Sequence, residues 1–243
     1  EEHGFDVFVT VVDPFAGPDQ RAAALAPQID TILAETGALR VNLIGHSQGG
    51  IDGRALISGL EYGDRVASLT SLASPHQGNV LADIGWGLME DVPIGASLVE
   101  AIGDVFGLVL GYSNQSLSDT TYGLTSEFMM NEFNPANPDD PRVAYYSYSG
   151  HTCPIVDTEC QSAWGGETVS PLLALTHRAL TLLGEPNNDG LVSQDSARWG
   201  EYLGEIPGDH LDEVGQILVG TGNDERHIRF FLNEGHRLFD TGF

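Results

Sequence analysis

The chain has 243 residues, 41% of them hydrophobic, with 30 glycines, two cysteines and a formal net charge of -25 at pH 7. That length and apolar content suit one large α/β domain, the acidic balance argues against charge-driven binding of nucleic acid or an anionic membrane, and no stretch reaches the roughly 18 uninterrupted apolar residues of a membrane span. All ten cationic residues are arginine, as in a salt-tolerant or a GC-rich source alike. No basic stretch followed by an apolar one opens the chain, so a leader peptide is expected to have been removed or never included.

Phe5 to Val12 is almost continuously apolar and β-branched, the pattern of a buried strand. Asp19 to Glu35 reads as a helix with Ala22, Leu25, Ile29, Ile32 and Leu33 on one side; Gly37 ends it, and Pro27 implies a kink or a late start. A strand follows from Leu39 to Ile44, then Gly45-His46-Ser47-Gln48-Gly49, then a helix to about Leu60, then a strand from Val66 to Ala73. This alternation predicts a mostly parallel central sheet with helices on both faces.

From about 85 to 134 the chain loses its strand rhythm. Between Ser97 and Gly111 the apolar residues fall on more than one helical face, which suits either a core helix or a mobile lid over a site. Val143 to Tyr148 reads as a strand, Leu172 to Leu183 is of mixed apolar content, and Asn187-Asn188-Asp189-Gly190 signals a turn. Leu211 to Leu218 and Glu225 to Phe239 read as helices, the second with Ile228, Phe231, Leu232, Leu238 and Phe239 as its inward stripe. With no repeat and no linker, residues 1–243 form one domain carrying a lid insertion over 85–134.

The pentapeptide around Ser47 concentrates the chemistry. Glycines two positions before and after a serine, between a strand and a helix, give a sharp turn that lifts the hydroxyl clear of the sheet. The same turn places the Gln48 N–H at a helix start, where it can stabilise a developing oxyanion. A serine hydroxyl needs a histidine to take its proton and a carboxylate to orient that histidine, in the chain order Ser, Asp or Glu, His. His210, at a loop-to-helix entry, suits the base, with His227 in reserve. Asp189 leads as the acid, and Asp195 and Asp209 compete with it on spacing alone. Cys153 and Cys160 either close a small disulfide loop in a secreted protein or remain buried thiols in a cytosolic one.

Val41-Asn42-Leu43-Ile44-Gly45-His46-Ser47-Gln48-Gly49-Gly50, Ser74-Pro75-His76-Gln77-Gly78, Tyr145-Tyr146-Ser147-Tyr148-Ser149-Gly150, Asn188-Asp189-Gly190-Leu191-Val192 and His210-Leu211-Asp212-Glu213-Val214, in that order, together resemble the secreted bacterial true lipases of the Pseudomonas and Burkholderia type. The resemblance implies an α/β-hydrolase fold with a helical lid, hydrolysis of triacylglycerols at an oil-water interface, and Ser47, His210 and Asp189 as nucleophile, base and acid. It also implies a structural calcium ion held by Asp212, Gln216 and a carbonyl at about Gly220, and leaves open the need for a folding chaperone such as some relatives use. Asp212 and Gln216 are four apart, so a helix would bring both to one face. The family's second calcium carboxylate has no aspartate here, and only Glu167 stands near enough in sequence to replace it. The family's disulfide ties the segment after the acid, whereas a Cys153–Cys160 bond would close a different, tighter loop.

Hydrolases of this kind take a second oxyanion donor from a His-Gly loop after an earlier strand. His3-Gly4 precedes the first strand rather than following one. A further segment of roughly 40 residues, typical for a strand with its connections, is therefore expected beside the nucleophile strand, on the same chain or a second one. Two other readings fit the sequence: a short-chain or polyester-degrading esterase with the same triad, and a binding module that keeps the fold without catalysis.

Overall fold

The computed structural model describes residues 4–14, 16–87, 122–216 and 226–243. Its framework is four parallel strands in the order β1 (Val41–His46), β2 (Val66–Leu72), β3 (Ala144–His151) and β4 (Glu201–Pro207). β2 is buried along its whole length, so its hydroxyls must find partners indoors. Ser68 Oγ donates to Asn42 Oδ1 at 2.8 Å, Ser71 Oγ to the Tyr146 carbonyl at 3.2 Å and Thr70 Oγ1 to Glu234 Oε1 at 2.7 Å. Among the described residues β1 has a strand neighbour on one side only.

The main helices are α1 (Pro18–Thr36), α2 (Gln48–Arg54), α3 (Val80–Trp86), α4 (Ala174–Leu182) and α5 (Arg226–Asp240). Proline opens α1 where its missing N–H costs nothing, and left-handed Gly37, with φ 71°, closes it by donating to the Leu33 carbonyl. Ala22, Leu25 and Ile29 of α1 join Ile51, Leu56, Val66 and Leu69 in one apolar cluster. A second cluster gathers Leu81, Leu173, Leu180, Leu191, Val192 and Leu211, around the segments that carry the later motifs. In a parallel sheet the carboxyl ends of the strands share one edge, and that edge is where such folds place their sites.

The parallel sheet, the strands at 41, 66 and 144 and the first and last helices match the sequence reading, but two expectations need correction and one strand was missed. Phe5 to Val12 forms no strand, and Val7 and Val9 are 77% and 88% exposed. The backbone of Val11 pairs instead with the Gln28 side chain, whose Oε1 accepts its N–H at 3.0 Å and whose Nε2 donates to its carbonyl at 2.8 Å; a run of β-branched residues becomes a strand only when another strand lies alongside. Of the helix expected over Leu211 to Leu218, the described part, 211–216, holds a single 3-10 turn, Asp212–Val214, ended by Gly215 in the left-handed region at φ 71°, and 217 and 218 lie outside the described residues. β4 went unread because Gly204, Glu201, Glu205 and Pro207 dilute its apolar alternation. Most of the expected lid, including Ser97 to Gly111, lies outside the described residues.

A buried ion pair locks α1 to α2. Arg21 Nε lies 2.9 Å from both Asp52 oxygens, Nη2 reaches Oδ2 at 2.7 Å, and Nη1 donates to the Asp13 carbonyl at 2.9 Å. Burial pushes the Asp52 carboxyl up, and the arginine opposes it. Arg21→Met should therefore cost about 3 kcal/mol by urea unfolding, the scale for orphaning a buried charge; Arg21→Met with Asp52→Leu should recover most of it. Equal losses in the single and double variants would contradict this.

Candidate active site

The turn after β1 holds Ser47 at φ 54°, a left-handed conformation that a serine adopts only under constraint. The Ser47 N–H donates to the Leu72 carbonyl at 2.9 Å, tying the strained residue to the end of β2. A Cβ on Gly45 would stand 2.5 Å from the Gly49 carbonyl carbon, and one on Gly50 would stand 2.2 Å from Ser74 Oγ. Nothing lies within 4 Å of a Cβ built on Gly49. The turn therefore needs its glycines at 45 and 50, and the expected crowding two residues after the serine is absent.

β4 delivers His210 three residues after its last member. His210 Nε2 is 2.9 Å from Ser47 Oγ, and Nδ1 is 2.8 Å from Asp189 Oδ2. The His210 N–H also donates to the Asp189 carbonyl at 3.0 Å, so backbone and side chain fix the two residues together. Asp189 Oδ1 accepts the N–H groups of Leu191 and Val192 at 2.8 and 2.7 Å. Burial works to raise the Asp189 carboxyl, but His210 and those two amides outweigh it and hold the group below its ordinary value. An ionised Asp189 takes the Nδ1 proton as its hydrogen bond, which leaves the Nε2 lone pair facing the serine hydroxyl. Gln48, the first residue of α2, has a buried side-chain amide with no hydrogen-bond partner among the described residues.

Two residues with no role in the sequence reading belong to the same cluster. The His46 ring lies 4.5 Å from that of His210, and its Nε2 is 3.0 Å from Glu213 Oε2. Burial, then the neighbouring His210, pushes His46 down to about 3. Burial, then the carboxylate of Asp189, drives Glu213 well above the ordinary carboxyl range. Both shifts favour the neutral forms, which makes the contact a hydrogen bond between a carboxyl group and an imidazole in character rather than an ion pair. The one available signal was local: Glu213 lies three residues after His210, within reach across one tight turn.

The competing candidates fall elsewhere. Asp195 is on the surface, 3.9 Å from Arg198. Asp209 spends its carboxylate on the N–H groups of Ser170, Leu211 and Asp212 at 2.9, 3.0 and 3.1 Å. His227 packs against Gly215. His76 is buried with its Nε2 2.9 Å from Ser71 Oγ, and burial lowers it well below the ordinary imidazole value. Cys153 and Cys160 are joined by a disulfide.

The described donors do not fit a calcium ion. Gly215 breaks the turn between Asp212 and Gln216, Gln216 is exposed, and Gly220 lies outside the described residues. Glu167 Oε2 is already bonded to Arg226 Nη1. Among the described residues, the groups of three His, Cys or carboxylate donors close enough to share a metal are His151, Cys153 and Cys160, and His46, His210 and Glu213; neither contains Asp212 or Glu167.

A parallel sheet whose strand ends bring a strained serine, a histidine and a buried aspartate into one chain of hydrogen bonds defines an α/β-hydrolase. Residues 17–138 match the palmitoyl protein thioesterase family. The chain is 31% identical to a triacylglycerol lipase of Vibrio cholerae over 230 residues, covering 88% of this chain and 70% of that one. It is 31% identical to triacylglycerol lipase 2 of Saccharomyces cerevisiae over 220 residues, and it spans 59% of that relative's length. The crystal structure of a mature Bacillus licheniformis lipase aligns with a TM-score of 0.56 at 23% identity, covering 80% of this chain and 67% of that one. The chain belongs to the palmitoyl protein thioesterase and lipase family of α/β-hydrolases.

Two substitutions test the packing around Asp189. A Cβ on Gly150 would stand 2.8 Å from the Asp189 Cβ and collide with Glu213 Oε1. Gly150→Ala should lower ester turnover about 100-fold by displacing the acid, as misplacements of about 1 Å do, with a folded far-UV spectrum. Glu213→Gln, isosteric with the neutral acid, should keep kcat within about threefold, roughly 0.7 kcal/mol. A large loss in Glu213→Gln would mean that the carboxyl works ionised.

Proposed function

We propose that this protein hydrolyses apolar acyl esters, triacylglycerols among them, through an acyl-enzyme on Ser47. The continuous hydrogen-bond chain from Ser47 through His210 to Asp189 carries the proposal. His210 Nε2 takes the hydroxyl proton as Ser47 Oγ attacks the ester carbonyl carbon, while Asp189 steadies the imidazolium that forms. The Gln48 N–H, at the start of α2, donates to the carbonyl oxygen as it becomes an oxyanion. His210 then passes its proton to the departing alcohol, and a water activated by the same imidazole releases the fatty acid and restores the serine.

The names of the relatives support a lipid or ester substrate, and the family model extends the same chemistry to acyl thioesters. A second oxyanion donor, on a segment pairing with the free edge of β1, belongs to the proposal, as do an origin among secreted bacterial true lipases and a lid over 85–134 that opens at an oil-water interface. The Cys153–Cys160 disulfide supports secretion, since such bonds persist in oxidising compartments. The φ of 54° at Ser47 favours an enzyme over a binding module, because a fold without catalysis gains nothing from that strain.

Ser47→Ala should abolish turnover of a p-nitrophenyl ester, a loss of at least about 10,000-fold, and Asp189→Asn should lose about as much. Unchanged turnover in Ser47→Ala would remove the proposal. Rate against triolein should jump once an emulsion forms; a preference for short soluble esters with no such jump would favour the short-chain or polyester-degrading esterase.

A further inference from the structure

Next to the candidate active site the chain gathers three carboxylates that a metal ion would ordinarily have to neutralise. Glu167 is buried, and Asp209 and Asp212 flank His210 on either side. Asp212, and less strongly Asp209, oppose the charge on Glu167. Asp209 is turned inward, where its oxygens hold the backbone of Ser170, Leu211 and Asp212 and so shape the turn that presents His210.

A cation reaches this group among the described residues. Arg226, the first residue of α5, places Nη1 on Glu167 Oε2 and donates from Nη2 to the Gly165 carbonyl at 3.2 Å. The remaining Glu167 oxygen lies 3.4 Å from Thr152 Oγ1. The Glu167 side chain is 6% exposed and that of Arg226 is 28% exposed, so much of the pair's field is unscreened by water. A guanidinium is the side-chain group best suited to such a position, being permanently charged, weakly hydrated and able to engage a carboxylate and a carbonyl at once. A divalent cation on the same carboxylate would repel it.

We propose that Arg226 is the built-in counter-cation of the Glu167, Asp209 and Asp212 cluster, doing for this chain what a bound calcium ion would do elsewhere, and that the folded protein consequently neither needs nor takes up calcium. The arginine is a positioning residue: it joins α5 to the 165–170 segment, and Asp209 joins that segment to the His210 turn. The proposal concerns cohesion around the turn, and its test reads stability rather than ester hydrolysis.

The test is thermal unfolding of the whole chain after EDTA treatment, with and without saturating calcium chloride, alongside calorimetric titration with calcium chloride. The wild-type melting temperature should be the same in both conditions, with no heat of calcium binding. Arg226→Met should melt about 5 °C lower, the scale of a partly buried charge losing its partner, and Arg226→Lys should recover part of that loss. In a Glu167→Gln background Arg226→Met should cost little, since the charge that needed the arginine is gone. Calcium binding or calcium stabilisation in the wild type would overturn the proposal, as would an Arg226→Met loss that is absent or equally large in both backgrounds. Should Arg226→Met fail to fold, the wild-type titration decides alone.

Discussion

The constraint on which the rest depends is the backbone of Ser47. A left-handed serine between a strand and a helix persists only if its surroundings over-determine it, and here each neighbour contributes. The end of β2 accepts its N–H, Gly45 lets the strand pass close to Gly49, and Gly50 lets α2 lie against Ser71 and Ser74. Once the turn is fixed, the hydroxyl projects from the carboxyl edge of the sheet. The segments after β3 and β4 then meet it there: Thr152 donates to the Asn188 carbonyl at 3.3 Å, Gly208 to the His151 carbonyl at 3.0 Å and His210 to the Asp189 carbonyl at 3.0 Å.

The electrostatics of the cluster follow from how its charges are separated. Two carboxyl groups, Asp189 and Glu213, are buried side by side, and they cannot both ionise cheaply. Asp189 holds two backbone amides and an imidazole, which favour its charged form; Glu213, bonded to His46 and buried beside the Asp189 carboxylate, is driven toward its protonated form. The neighbouring Glu167, Asp209 and Asp212 face the same difficulty, met there by backbone amides and a guanidinium. In a chain of net charge -25 with ten arginines, two of them, Arg21 and Arg226, sit on buried acids.

Much of this was legible in the sequence where local chemistry decides structure. The elbow, the strands on either side of it and the Asn188-Asp189-Gly190 turn are set by glycine tolerance, β-branching and Asx geometry, all readable over a few residues. Spacing left Asp189, Asp195 and Asp209 in competition, and the contact with His210 that separates them is long-range. Phe5 to Val12 has strand composition without a strand beside it among the described residues, and Asp212 and Gln216 have helical spacing across a glycine that ends the turn. His46 and Glu213 stand inside quoted motifs, but their pairing beside the triad is a contact spanning 167 residues of sequence that no motif shows.

The most direct test of the central claim is whether Ser47 is a uniquely activated nucleophile. A fluorophosphonate loses fluoride fastest to a serine oxygen that attacks its phosphorus with a base at hand. After exposure of the whole protein, mass spectrometry of its peptides should find one adduct, on Ser47, and none in His210→Ala. No adduct on Ser47, or one that survives loss of His210, would contradict the account.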